Sequence, residues 1–235
     1  MDKEYIDEAL NRIFKDFDTS KLVTEDEKKR LLEAEQEKER LRRADERIEA
    51  LDIPKRLQIG RSNLRRDGEW GQMFEKLKPR IGKGSIFVFR GKPGTGKSQL
   101  AVELMIHAAE TKNLTGKFIT FSDLQLDVKG SFGQGQNGGE KETIAALTRP
   151  GVLVIDEFDW VPNKAEKVTD NYWQGVIYHI LNKRYYAMKD TLLTSNKTED
   201  EFRQTTIASI KSRISETGGV ISTDTWTDWR AERRF

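Results

Sequence analysis

Cysteine is absent from all 235 residues, and histidine occurs only at His107 and His179. Disulfides and thiolate-ligated zinc are thereby excluded, and a structural metal site has almost no imidazole to draw on. Nor is there an apolar run near the roughly 18 residues that a membrane span needs, or an apolar core region behind Met1-Asp2-Lys3-Glu4. A surplus of one charge is missing as well. Against 41 basic and 39 acidic residues the formal net charge is +2, too small to draw nucleic acid to the whole surface, so any such contact must come from a local groove. Charged residues make up 34% and hydrophobic ones 36%. That balance predicts a solvated extension beside a packed domain.

What is present is most specific at Gly91-Lys92-Pro93-Gly94-Thr95-Gly96-Lys97-Ser98. A glycine, four residues, then Gly-Lys-Ser is a phosphate-binding loop. Its glycines let successive N–H groups turn inward on a β-phosphate, Lys97 reaches the β- and γ-phosphates, and the Ser98 hydroxyl suits Mg²⁺. The apolar run from Ser85 to Arg90 predicts the strand before it, and Gln99 to Ile106 continues at helical spacing after it. ATP with Mg²⁺ is the expected ligand. Gly91, Pro93, Gly94, Thr95, Gly96, Lys97, Ser98 and Gln99 are the expected contacts.

Four further short apolar runs, at 117–121, 151–155, 191–194 and 219–222, alternate with helical stretches. This order predicts a parallel sheet of five strands covered on both faces. The third of the five runs, 151–155, leads into Asp156-Glu157. There Asp156 is placed to complete the Mg²⁺ shell with Ser98, and Glu157 to polarise the attacking water; two acids capping the next helix would read the same way in isolation. The fourth ends in Thr194-Ser195-Asn196, and Asn196 suits orienting that water. Arg213 and Arg230, taken singly, read as surface charges.

Residues 1–66 differ in kind. Ile6, Leu10, Ile13, Phe14 and Phe17 recur at three- and four-residue spacing, which puts one apolar stripe on a first helix. Thr24-Glu25-Asp26-Glu27 opens a second, long helix to about Leu51 as a capping box. Glu39 four residues before Arg43 supports it on an exposed face. Periodicity fits equally a hairpin folded on its own globular part and an arm whose apolar face docks on a partner. Ile53-Pro54 ends the helix, and Lys55, Arg56, Arg61, Arg65 and Arg66 make the junction basic. The expected division is an arm at 1–52, a linker at 53–66 and an ATPase domain at 67–235.

Together these motifs, in order, resemble the AAA+ helicase loaders of the DnaC/DnaI group, with the transposition helper IstB as a relative. The segments that carry the likeness are 84–97, 118–132, Leu153-Val154-Ile155-Asp156-Glu157, 177–184, Leu193-Thr194-Ser195-Asn196, Lys211-Ser212-Arg213-Ile214 and Trp226-Thr227-Asp228-Trp229-Arg230. The resemblance covers about residues 53–230. It implies an α/β AAA+ P-loop NTPase without a separate lid domain, preceded by an extended helical arm, in a bacterial cytoplasm, with chromosomal and phage origin both open. It implies an ATPase that loads a hexameric DnaB-type replicative helicase onto single-stranded DNA, with up to six copies in an ATP-dependent spiral. Arg213 falls where the family has its trans-acting arginine finger and Arg230 where it has sensor 2. Lys129, Phe132 and Tyr172 fall where it meets single-stranded DNA, although packing explains the two rings as well. The helicase-binding role comes to the Ile6 to Phe17 stripe by the same resemblance. With no cysteine the chain cannot carry the DnaI-type zinc domain in that form. The alternative is an IstB-like helper acting on duplex DNA with a transposase.

Overall fold

The computed structural model describes residues 25–61, 68–130, 139–158 and 167–228. Ile6, Leu10, Ile13, Phe14, Phe17, Phe132 and Arg230 lie outside the described residues. By its contacts the chain divides into two units, 1–47 and 48–235.

In the first unit the described part is helix α1 (Glu25–Glu49), which continues two residues into the second. Its surface is laced with acid-to-base pairs at three- and four-residue spacing. Glu39 pairs with Arg42 at 2.8 Å and with Arg43 at 2.7 Å, and the two guanidinium groups pull its carboxyl down to about 2.

The second unit begins inside the expected arm. Leu51 and Ile53 are buried in its core, and the expected linker contains helix α2 (Lys55–Gly60). Side-chain chemistry that periodicity does not register anchors this segment. Gln99 donates to the Leu57 carbonyl at 3.0 Å, and Arg61 pairs with the buried Glu103 at 3.1 Å. The remaining elements are α3 (Glu69–Leu77), β1 (Ile86–Arg90), α4 (Lys97–Lys112), β2 (Gly116–Thr120), α5 (Phe121–Gly130), α6 (Glu140–Thr148) and β3 (Val152–Asp156). After them come α7 (Lys167–Tyr186), β4 (Asp190–Ser195), α8 (Glu199–Thr205), α9 (Ala208–Thr217) and β5 (Gly219–Ser222). Two helices thus stand between the last strands where one was expected. Thr198 opens the first with a capping box closed by Glu201.

The strands form one sheet in the order β2-β3-β4-β1-β5, with parallel pairing throughout. Side chains alternate across it, so the inner strands β1, β3 and β4 feed both layers. Phe87, Phe89, Val152, Val154 and Leu192 join α3 and α4 on one side, while Ile86, Val88, Leu153, Ile155 and Leu193 meet α7 and α9 on the other. Both faces are therefore dry, which explains the continuously apolar β1 and β3. Among the described residues no helix is long and apolar enough to cross a membrane.

Candidate functional site

Parallel pairing brings the carboxyl ends of β1, β3 and β4 to one edge of the sheet, and the sequence places its phosphate chemistry there. The loop 91–96 leaves β1 and enters α4 through left-handed glycines, Gly94 at φ 86° and Gly96 at φ 85°, a region that side chains avoid. Thr95 and Lys97 are buried, and Pro93 is exposed on the outside of the turn. Lys97 Nζ donates to the loop's own carbonyls, 2.8 Å to Gly91 and 2.7 Å to Lys92. The ammonium thus lies inside the cradle, where polyphosphate oxygens would replace the carbonyls.

Neighbouring elements hold this loop in shape. Thr223, fully buried just past β5, meets the Thr95 hydroxyl at 2.7 Å and donates to the Arg90 carbonyl at 3.2 Å. Trp70 of α3 donates its indole N–H to the Gly96 carbonyl at 3.2 Å and stacks on Phe74. Arg90, itself buried, joins Asp224 at 2.9 Å to Glu199 at 3.0 Å. None of Thr223, Trp70, Arg90 or Asp224 carried a motif, since each acts through a partner far away in sequence.

At the end of β3 the hydroxyl of Ser98 donates to Asp156 Oδ1 at 2.6 Å, and the hydroxyl of Thr194 donates to the same oxygen at 2.5 Å. Thr194 Oγ1 also accepts the Glu157 backbone N–H at 2.9 Å. Glu157 stands at φ 53°, unusual for a residue with a side chain and characteristic of strained functional positions; its side chain is exposed. Thr194 therefore holds the Asp156 carboxylate and the Glu157 backbone. Asn196 follows from the same strand, two residues on and exposed.

The Ser98 and Asp156 oxygens fit a magnesium ion that arrives with a triphosphate, because two hard ligands leave the other positions to phosphate and water. Among the described residues no group of three or more His, Cys, Asp or Glu gathers into a site of its own. Replacing Thr194 by Val is expected to slow ATP turnover by about 10²-fold through misplacement of Asp156 and Glu157, with nucleotide affinity nearly unchanged; Ser at this position restores the rate. Steady-state kinetics beside a nucleotide-binding titration checks it.

One expected contact sits differently from the sequence reading. Gln99 spends its side chain on the Leu57 carbonyl and on Glu103, at 3.0 and 3.2 Å, and so offers a nucleotide only its backbone. Asp228, unassigned by the sequence, lies against the loop: a Cβ built on Gly94 would overlap its carboxylate. A negative group there opposes a triphosphate by about 1 kcal/mol in a water-like dielectric. Asp228→Asn is thus expected to tighten ATP binding about fivefold at low salt and less as salt rises, read by titration at two ionic strengths.

Arg213 is not brought to this chain's own phosphate loop. It lies between α9 and α7, donating to Asn182 at 2.6 Å. Lys129 and Tyr172 converge on one ring: the Lys129 ammonium is 5.7 Å from the Trp173 centroid, and the Tyr172 ring is 5.0 Å from it. Burial, with Glu140 beside it, pushes the Tyr172 phenol up to about 12.

A five-stranded parallel sheet in this order, with a phosphate loop after β1 and an acidic pair after β3, defines an ATP-binding P-loop protein of the AAA+ class. The family model described as IstB-like ATP binding protein matches residues 4–210. This chain belongs to that family. It is similar to the replicative helicase loader DnaC of Escherichia coli strain K12, 31% identical over 126 residues that cover 51% of this chain and 46% of that protein. It is also similar to DnaC of Buchnera aphidicola subsp. Baizongia pistaciae, 29% identical over 113 residues, covering 47% and 42% respectively. The chain spans about half the length of these curated relatives. Among solved structures it resembles DnaI, with a TM-score of 0.58 at 19% identity over 78% of this chain and 100% of that one. The DnaC helicase loader gives 0.50 at 21% identity over 64% and 86%. At such identities the likeness is one of fold.

Proposed function

We propose that this protein is an ATPase that loads a hexameric replicative helicase onto single-stranded DNA. The observation that carries the catalytic part is the shared hydrogen-bonding of Asp156 Oδ1 by Ser98 and Thr194 with the Glu157 backbone anchored beside it, since a mere nucleotide binder does not need a second acid next to its magnesium ligands. The loader part is supported by the similarity to DnaC, whose alignments span about half of each chain.

In this reading the loop residues 91–98 hold the triphosphate, and Ser98 and Asp156 bind Mg²⁺, which neutralises charge developing on the phosphates. Glu157 takes the proton of the attacking water, which Asn196 orients. Arg213 acts on the triphosphate of a neighbouring copy and Arg230 on that of its own chain, so turnover depends on assembly. The arm at 1–52 binds the helicase through Ile6, Leu10, Ile13, Phe14 and Phe17. Lys129, Phe132 and Tyr172 contact DNA, charge tracking the phosphates and rings stacking on bases. Up to six copies line up in a spiral, and the work is done in the bacterial cytoplasm.

Incubating the chain with a bacterial replicative helicase hexamer, ATP and circular single-stranded DNA tests this reading. Helicase is expected on the circles only with the chain and ATP present; equal loading without the chain overturns the proposal. The family match favours a second reading, an IstB-like helper of a transposase. It predicts ATP-dependent assembly on duplex DNA in the absence of helicase.

A further inference from the structure

The arginines packed between elements of this domain have differing partners. Arg61 has Glu103 and Glu110, Arg90 has Asp224 and Glu199, and Arg184, without a carboxylate, spends its Nε and both η nitrogens on a hydroxyl and four carbonyls. Arg213, half-buried, forms no ion pair among the described residues. Both its acceptors are neutral, the Asn182 amide oxygen at 2.6 Å and the Ser209 carbonyl at 2.9 Å. Its Nε is buried with no hydrogen-bond partner among the described residues.

Two aromatic rings flank the guanidinium. Its central carbon lies 5.4 Å from the Tyr178 centroid and 5.2 Å from that of Tyr185. Tyr178, Asn182 and Tyr185 follow one another at spacings of four and three on α7 and so share one face. Tyr185 is itself held, its hydroxyl donating to the Glu216 carboxylate at 2.9 Å from each oxygen.

This is a poor design for a tie between two helices. A buried N–H left unused costs about 1–3 kcal/mol, and an apolar side chain of similar length would pack there without that cost. It is a good design for presenting a cation. Ring faces and an amide fix the plane of the guanidinium without cancelling its charge, as a carboxylate would. A guanidinium carries five N–H groups; with Nε buried and one bond used on each η nitrogen, one N–H remains on each. Two remaining donors can meet two oxygens of a phosphate.

We infer that Tyr178, Asn182 and Tyr185 are positioning residues that hold Arg213, which has no ion pair among the described residues, for an anion supplied by a neighbouring copy: the terminal phosphates of its ATP. The inference rests on the proposed reading of Arg213 as a trans-acting group and adds the residues that aim it. The clamp belongs to the copy that lends the arginine, not to the copy that hydrolyses.

Directional mixing tests it with the full chain on a helicase hexamer. Lys97→Ala copies bind no ATP and serve only as donors of Arg213, and Arg213→Ala copies serve only as acceptors, so turnover arises only where the two meet. Asn182→Ala, or Tyr178→Leu with Tyr185→Leu, placed in the donor is expected to lower the mixed rate at least about tenfold. The same changes in the acceptor leave it within about twofold, and Phe at both tyrosines of the donor restores it, because the ring faces return. Equal loss in both arms means a structural role and overturns the inference, as does an unchanged rate with the donor altered. Asn182→Ala carries the test alone if the double leucine variant melts early. If homogeneous Arg213→Ala protein turns over ATP like the unaltered chain, the trans-acting reading itself fails. A silent clamp beside a dead Arg213→Ala protein sinks only the clamp.

Discussion

Replacing Glu157 by Gln is expected to lower ATP turnover by about 10²–10⁴-fold while leaving the nucleotide affinity within about twofold. The amide keeps the shape of the side chain and its exposed position but cannot accept the proton of the attacking water. Nothing that grips the triphosphate changes. The loop at 91–98 is pinned by Thr223 and Trp70, and the Thr194 hydroxyl meets the Glu157 backbone and the Asp156 carboxylate, not the Glu157 side chain. Single-turnover hydrolysis beside equilibrium binding separates the two quantities. Loss of binding to the same extent as turnover would place Glu157 in the grip, and undiminished turnover would remove it from the chemistry altogether.

The second large effect concerns the frame that carries the site. Arg184, at the end of α7, has no exposed surface. Its Nε donates to Thr191 at 3.0 Å, one η nitrogen to the carbonyls of Leu147 and Pro150 at 3.1 and 2.9 Å, and the other to those of Gly151 at 3.3 Å and Asp190 at 2.5 Å. One side chain thus ties α6, the entry to β3 and β4 together, at the end of the sheet away from the phosphates. Desolvation draws its pKa down to about 10, still far above neutrality, so the charge is kept and the carbonyls hold it. Arg184→Met removes every one of these bonds and leaves the Pro150 and Leu147 carbonyls short of a donor. A loss of about 3–5 kcal/mol is expected, the range for breaking a buried charged network, with a fall in Tm on the order of 10 °C. Lysine does not rescue it, because a single ammonium cannot fork to five acceptors. A melt within 2 °C of the unaltered chain, about the shift of one lost surface contact, would contradict this role.

How much of this was legible beforehand follows from where each signal resides. The strand cores, the phosphate loop and the acidic pair are local patterns; the five-stranded parallel sheet agrees with the first of them, and it places Ser98 against Asp156. Arg184 stood within a segment similar to the loader family, but its carbonyl partners are distant in sequence and leave no spacing to read. The same holds for Thr194, Thr223, Trp70 and Asp228, which act on the site across the sheet or from the chain's other end. The basic stretch after Pro54 looked like a linker because its charges hide their uses. Arg61 pairs with a carboxylate buried in the P-loop helix, and the apolar residues beside it are too few to show a period. Arg213 was placed by resemblance, while its neutral surroundings became visible only once α7 and α9 were side by side.

The central claim, that this ATPase acts on a replicative helicase, is tested most directly by native mass spectrometry of the chain with a bacterial helicase hexamer, with and without ATP. The account predicts complexes of the hexamer with up to six copies, lost when Ile13 and Phe14 are replaced by Asp although ATP still binds. No complex with helicases from several bacteria, together with ATP-dependent assembly of the chain on duplex DNA, would contradict it.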